Sequence, residues 1–516
     1  MRFKLKPEIF VWIVIAFLWF YFSFFHYFDD DEFQHCHNAY LIWKGLVPYR
    51  DFFEHHLPLY HIIFSLVYIF GEKPETIFIF RFLSILSAGM VFLFLYRYIK
   101  DISSKSIALF CILSLAFVPM YLLKMTEARP ESIAILLFTL GLISIFSMET
   151  AIEKLFFAGF LSGLMVCFSF KYIFAWLGLC AAAFYLKGKR DGLRFLSGSI
   201  IGIFPLFLYI LIKGISSEFF KTTLIMNVKW KYRFSPSGYL YEAFTTAGFI
   251  IACAIAGLLS TDKKNAIGHL FIIAGCFLGI ICIPVPYRQS YLPFLVACTI
   301  CATLFLRNFF NIFQNKKLKI VVAAVLFLCA TSNCLVIIKN EITQTNFSDI
   351  RKMKLIDEIS PQTAFFDGRS FLFYRMHTGY YGFMHHELLE MIDLDDYSNH
   401  VIEQLKKNNF PVVIYDYRVK QMPAKIQDFI DKNYCAFEDD IYLPGVKIDR
   451  SQFIEGMATF EINVGGWYTI SFTGEDLSID DGQVLSGDIK FLDKGLHTAK
   501  TMSFIDNLTV ILKKRV

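Results

Sequence analysis

Charge is scarce in this chain. Only 18% of its 516 residues are Asp, Glu, Lys or Arg, against 56% hydrophobic, and the net charge is +5. With 59 phenylalanines and a mean hydropathy of +0.49, the apolar surface exceeds what one soluble core can hide, which marks a polytopic membrane protein. Cations sit in short clusters between apolar runs, a pattern of membrane topology, and no segment resembles a DNA-reading module. A cysteine framework is also missing. Of the 12 cysteines only Cys36 and Cys435 lie in polar segments, the others behaving as small hydrophobes, and no CxxC or other zinc spacing occurs. No small-residue cleavage site closes the first apolar run, 9–28, so it is read as a retained span and not as a signal peptide.

What is present is a series of apolar runs: 9–28, 76–98, 106–123, 132–148, 155–170, 173–186, 195–212, 243–260, 266–283, 291–306 and 320–338. These predict about eleven transmembrane helices, with 57–70 too short to span and 155–186 readable as one hairpin or one broken segment. If Arg2, Lys4 and Lys6 are cytoplasmic, alternate connections bring Arg97/Lys100/Lys105, Lys154, Lys187/Lys189/Arg190/Arg194, Lys263/Lys264 and Arg307/Lys316/Lys317/Lys319 to the same side, as the positive-inside rule asks. One outside loop breaks the rule. Lys213, Lys221, Lys229, Lys231 and Arg233 face only Glu218 and Glu242, and a lipid phosphate at headgroup level is the nearest anion for them.

Beyond residue 340 the composition becomes that of a soluble domain. Segments 363–367 and 412–417 read as short buried strands and 401–408 and 426–433 as helices, which predicts an α/β subdomain over 341–450. From 451 to 516 alternation with Gly-rich turns predicts a β-sandwich subdomain, with a weak likeness to jelly-roll accessory modules of carbohydrate-active proteins.

The stretch between the first two apolar runs carries the chemistry. Asp29, Asp30, Asp31 and Glu32 follow the first run directly, and Asp51, Glu54 and a group of histidines precede the next. Like charges this close beside a low-dielectric slab repel and desolvate one another, which predicts a raised pKa on at least one of them and a base near neutral pH. A solvated acidic loop that only fixes the register of the first span is the competing reading. His35, His37, His55, His56 and His61 raise the question of a metal. Histidines adjacent in sequence point apart on most backbones, however, and no helical His pair comes with a further clear ligand. No metal or other cofactor is assigned, and a divalent ion is left open.

The order DE-(x)6-A-(x)5-G-x-x-PY-x-D-(x)6-PL, carried by Asp31, Glu32, Ala39, Gly45, Pro48, Tyr49, Asp51, Pro58 and Leu59, resembles the first external loop of the GT-C superfamily. These are polyprenyl-phosphate-sugar-dependent transferases akin to protein O-mannosyltransferases and lipid A aminoarabinose transferases. Glu54-His55-His56-Leu57-Pro58 is similar to the Glu-Lys-Pro-Pro piece of the aminoarabinose enzymes, with His55 in place of lysine. The segment from Thr126 to Glu131 resembles the second external loop, and that from Pro286 to Pro293 the Arg-Tyr-x-x-Pro element opening a later span. The likeness covers residues 1–340, taken as the transmembrane catalytic domain.

The resemblance implies a GT-C fold with a C-terminal external domain, in a bacterial inner membrane with the N-terminus cytoplasmic. It also implies an inverting transfer of a sugar from polyprenyl phosphate to a glycolipid, polysaccharide or protein hydroxyl. In that scheme Asp31 is the base, with Asp30 second, while Glu32 and Glu54 orient the acceptor or the sugar. Arg288 leads the candidates for the leaving phosphate, followed by Arg129, Lys229, Lys231, Arg233 and Tyr291. His55, Asp51 and Glu127 are assigned to substrate orientation. A flippase for lipid-linked sugars would instead need facing charges in mid-span and internal repeats, and no duplicated half is visible. A non-catalytic glycan-binding scaffold would leave the acidic and basic external loops unexplained.

Overall fold

Each apolar run becomes a helix, the one local structure that satisfies its own backbone N–H and C=O groups in hydrocarbon. The computed structural model describes residues 7–147, 152–230, 237–284, 286–361, 363–503 and 505–515. Two compact units result. The first is Met1–Trp43, Glu54–Gly71 and Glu75–Phe347, and the second Lys44–Phe53, Glu72–Pro74 and Ser348–Val516.

In the first unit, α1 (Pro7–Phe24) leads to α2 (Asp30–Trp43), which carries the acidic run, and then to the short α3 (Leu59–Phe64). α4 (Thr76–Ile102), α5 (Lys105–Ala116), α6 (Pro119–Thr126), α7 (Pro130–Phe146), α8 (Ile152–Phe168), α9 (Ile173–Lys187) and α10 (Lys189–Lys213) follow. Two short helices, α11 (Ser216–Phe220) and α12 (Asn227–Lys229), lie in the basic loop, and α13 (Ser237–Leu259), α14 (Lys263–Ile281), α15 (Leu292–Asn311) and α16 (Lys316–Ile342) complete the set. Among the described residues, seven helices are long and apolar enough to span, or eight with α5 and α6 taken as one path bent by 75°. That bend falls at Pro119, whose missing N–H and fixed φ suit the first turn of a new helix. The expectation of about eleven also counts α1, α7 and α8, which have 18, 17 and 17 residues. At ~1.5 Å per residue these fall just short of a ~30 Å hydrocarbon core. The run 155–186 resolves into a hairpin of α8 and α9.

Glycine sets the tightest crossing. α8 and α10 pack over Gly159, Gly163, Gly198 and Gly202, and a methyl group at Gly159 would run into the Phe195 carbonyl.

In the second unit, α17 (Phe347–Ile359) precedes β1 (Phe365–Phe366), and α18 (His386–Leu389) and α19 (Leu394–Lys407) lead to β2 (Val412–Ile414), parallel to β1. α20 (Ala424–Asn433) is followed by β3 (Tyr434–Glu438), β4 (Ile441–Asp449), β5 (Met457–Ile462), β6 (Gly466–Phe472), β7 (Leu477–Ile479), β8 (Gly482–Val484), β9 (Ile489–Leu492), β10 (Gly495–Lys500) and β11 (Asn507–Arg515). One sheet runs β1-β2-β4-β11-β6-β9 with β3 added on β4, and the other runs β5-β10-β7-β8. β4 pairs with β2 on one side and β11 on the other, so a single sheet continues from the α/β segment into the sandwich. First-loop residues belong to this unit too: Phe53 N donates to Tyr380 O at 2.8 Å and the Tyr380 hydroxyl to Tyr49 O at 2.6 Å.

Candidate functional site

The acidic run starts a helix, and this is why four carboxylates in a row are tolerated. Asp29 Oδ1 accepts the Asp31 N–H at 3.0 Å while Glu32 Oε1 accepts the Asp29 N–H at 3.0 Å, a reciprocal cap at the positive end of the α2 dipole. Glu32 is also gripped bidentately by Arg81 from α4, at 2.7 Å and 2.5 Å, and accepts the Ala128 N–H at 2.7 Å. Arg81 spends its remaining donors on the Ser23 carbonyl in the last turn of α1 and on the His26 and Tyr27 carbonyls just past it. Both side chains of the pair are buried, which joins the ends of α1, α2, α4 and α6 at one corner. Glu32 was expected to orient substrate. Its oxygens are instead taken up by protein donors.

Beside that corner, Arg129 and Lys124 collect the other acids. Arg129 donates to Asp29 Oδ1 at 2.8 Å, to Asp31 Oδ2 at 2.7 Å and to Glu127, while Lys124 reaches Asp29 Oδ2 and both Glu127 oxygens at 2.9 Å. Three carboxylates thus face two cations. Burial would push the Asp29 carboxyl up, but the Lys124 and Arg129 charges together bring it down to about 2. Glu127 carries the surplus: burial raises it to about 7, against the pull of Lys124, with Asp29 adding to the rise. A raised acid is thus found on the loop between α6 and α7. Of the two aspartates on Arg129, Asp29 spends both oxygens on cations and Asp31 has the more exposed side chain, 28% against 24%.

A second cluster is built around the buried Glu54. Its Oε1 accepts the His55 and His56 N–H groups at 2.7 Å and meets His56 Nδ1 at 2.8 Å, and its Oε2 accepts a hydrogen bond from Asn38 Nδ2 and lies 3.5 Å from His61 Nδ1. His61 Nε2 meets His35 Nδ1 at 3.0 Å. The backbone curls around the carboxylate, so adjacent histidines end on one side, their rings 3.9 Å apart. This corrects the expectation that they point apart. Burial depresses His55 to about 3 and His56 to about 4, so both are neutral imidazoles at pH 7. Ligand atoms of Glu54, His55 and His56 lie within 4.8 Å of one another, a donor set that fits a divalent d-block ion. The basic loop reaches this cluster: Asn227 Nδ2 donates to His55 O at 2.9 Å and Trp230 stacks on the His55 ring at 5.3 Å.

Other expected residues are placed as follows. Arg288, in a 3-10 turn before α15, donates to Glu242 Oε2 at 2.9 Å, with 27% of its side chain exposed. Tyr291 is buried at the start of α15, and Lys229 is exposed at the end of α12. Lys231 and Arg233 lie outside the described residues. Asp30 opens α2, and Asp51, in the second unit, accepts the Val47 N–H at 2.7 Å and pairs with Arg50 at 2.9 Å.

The fold has counterparts among solved structures. ArnT from Cupriavidus metallidurans bound to undecaprenyl phosphate aligns over 96% of this chain and 98% of its own, with a TM-score of 0.57 at 10% identity. The same protein in the apo state gives 0.60 at 11% identity, over 84% and 97%. It has the GT-C fold. The apo oligosaccharyltransferase of Archaeoglobus fulgidus aligns over 84% of this chain and 73% of its own, with a TM-score of 0.50 at 10% identity. No protein-family model and no curated protein sequence matches the chain.

Within the GT-C fold, several site residues went unread in the sequence. The D-x-x-E cap of Asp29 and Glu32 was legible. So was Arg81, since a charge inside an apolar run signals a specific partner. Lys171 offered no local signal, because its partner Glu131 is brought to it only by the tertiary fold, and of the partners of Lys124 only Glu127, three residues on, is local.

Proposed function

We propose that this chain is an inverting glycosyltransferase that moves a sugar from polyprenyl phosphate to a hydroxyl of an extracytoplasmic glycolipid, polysaccharide or protein. It works in a bacterial cytoplasmic membrane with its N-terminus inside. The observation that carries the reading is the carboxylate and cation cluster of Asp29, Asp31, Lys124, Glu127 and Arg129 on the first two external loops of a GT-C fold.

Asp31 takes the acceptor proton as the acceptor oxygen attacks the anomeric carbon. The bond to the lipid phosphate breaks on the opposite face, and its electron pair leaves on the phosphate oxygen. Arg129, spent on three carboxylates, holds Asp31 in position, which removes it from the phosphate-binding candidates. Arg288 is the phosphate ligand: its pair with Glu242 is partly exposed, and a guanidinium can exchange one anion for another. Glu32 and Glu54 hold the loops in place, and exposed Lys229, with Lys231 and Arg233, draws the anionic lipid toward the site. Glu54, His55 and His56 would hold a divalent ion, which would supply positive charge at that cluster. Similarity to a structure bound to undecaprenyl phosphate supports the donor class.

The test uses purified protein, undecaprenyl phosphate carrying labelled sugars, and an acceptor-containing envelope extract. Donor consumption with inverted product is expected from the parent, and loss of at least a hundredfold from Asp31→Asn with an unchanged unfolding midpoint. Full turnover by that variant would remove Asp31 as the base.

A further inference from the structure

Burial alternates along β6, with Tyr468, Ile470 and Phe472 buried and Trp467, Thr469 and Ser471 on the open side of the sheet. Cross-strand partners share a face, so the register extends that side from strand to strand. Trp467 lies between Lys514 of β11 and Phe491 of β9, and Thr469 between Ile511 and Ile489. Trp467, Phe491 and Ile489 are 43%, 38% and 46% exposed, and the Trp467 and Phe491 rings stand 5.5 Å apart at 71°. Lys514, at the end of that row, is exposed and has no ion pair among the described residues, whereas Lys447 on β4 is balanced by Asp449 at 3.7 Å. None of these residues takes part in the scheme above.

A tryptophan and a phenylalanine held side by side on rigid strands keep apolar surface in water, and size and surroundings decide what covers it. With strands ~4.8 Å apart and alternate residues ~6.8 Å apart, the patch is about two sugar rings across. That is too small for a stable protein interface, which covers about 800 Å² on each partner. It is also set on strand bodies and bordered by the Thr469 and Ser471 hydroxyls, so it cannot sink into hydrocarbon without taking them along. A saccharide suits both parts: its C–H faces lie on the rings, and its hydroxyls meet Thr469, Ser471 and water. Ring faces set at an angle match consecutive sugars of a twisted chain. Lys514 adds a fixed cation beside Trp467, which an acid group on the sugar would complement.

We propose that the Trp467, Phe491 and Lys514 row of the second unit binds an acidic saccharide chain, its sugar rings on the aromatic pair and a carboxylate at Lys514. The binding is non-catalytic and needs no lipid donor, so it is independent of the transferase reading.

Titration calorimetry of the full chain in nanodiscs, against empty nanodiscs, tests this with hexagalacturonate, hexamannuronate and the neutral maltohexaose and cellohexaose. At least one acidic oligomer should bind, about tenfold or more tighter than either neutral one. Trp467→Ala and Phe491→Ala should each weaken it by about tenfold or more with an unchanged unfolding midpoint, and Lys514→Gln should remove the preference for the acidic chain. Leu496→Ala, exposed on β10 of the other sheet, should change nothing. Binding that survives both aromatic substitutions, equal affinity for the neutral chains, or no binding of either acidic oligomer would overturn the proposal. In the last case, quenching of Trp467 emission by brominated lipid, present in the parent and lost in Trp467→Phe, would assign the face to the membrane.

Discussion

A single nitrogen of Arg129 holds Asp29 and Asp31 together, at 2.8 Å and 2.7 Å. Lysine cannot reproduce this with its third contact, Nε to Glu127. Arg129→Lys should keep the donor KM near the parent value and lower kcat at least tenfold, because one carboxylate swings free of its productive position. Arg129→Ala leaves buried acids facing one another and should cost about 3–5 kcal/mol, read as a lower unfolding midpoint in detergent.

The Glu32 and Arg81 pair predicts a non-additive result. Arg81→Met strands a buried carboxylate and should cost about 3–5 kcal/mol. Glu32→Gln added to Arg81→Met should recover part of that loss, since the stranded charge disappears. Thermal unfolding of the two single variants and the double checks it, and simple additivity would remove the pair as the corner that fixes the loops.

Stability should depend on pH through Glu127. Its folded value of about 7 lies above the ordinary 4.5, so between these values the native state binds the extra proton and unfolding free energy falls as pH rises. Glu127→Gln should flatten that decline. Asp29 has the opposite sign: held at about 2 against an ordinary 3.8, it stabilises the fold above 3.8 and gives this up as pH falls through 2. Unfolding midpoints of parent and variant from about pH 2 to 8 separate the two.

Packing of α8 on α10 gives a prediction independent of the site. Gly159→Ala should be destabilising by about 1–3 kcal/mol, since the added methyl meets Phe195 backbone. Gly89→Ala, in α4 with nothing within 4 Å, should be neutral or gain up to about 1 kcal/mol from helix propensity. Equal loss in both would show that the crossing is not glycine-limited.

The helices were legible because hydrocarbon allows the backbone few alternatives, and 155–186 was ambiguous only because Lys171 interrupts it without a turn residue. The location of the acids was legible as well. Their electrostatics were not, because Lys124, Arg81 and Arg129 approach from other helices and reverse the repulsion that neighbouring carboxylates suggest when read alone. The histidine pair was misread for a similar reason: one carboxylate, Glu54, reshapes the backbone on which their directions depend. In the second unit the strands followed from alternation, but the pairing of β4 with both β2 and β11 joins residues far apart in the chain and left no local trace.

That pairing also bears on how the second unit is made. β11 lies between β4 and β6, so a growing chain offers two unfilled edges to its surroundings until the strand from Asn507 onward has been synthesised. Any truncation upstream of Asn507 would leave those edges open to other molecules, and intermolecular sheet growth is the hazard to expect.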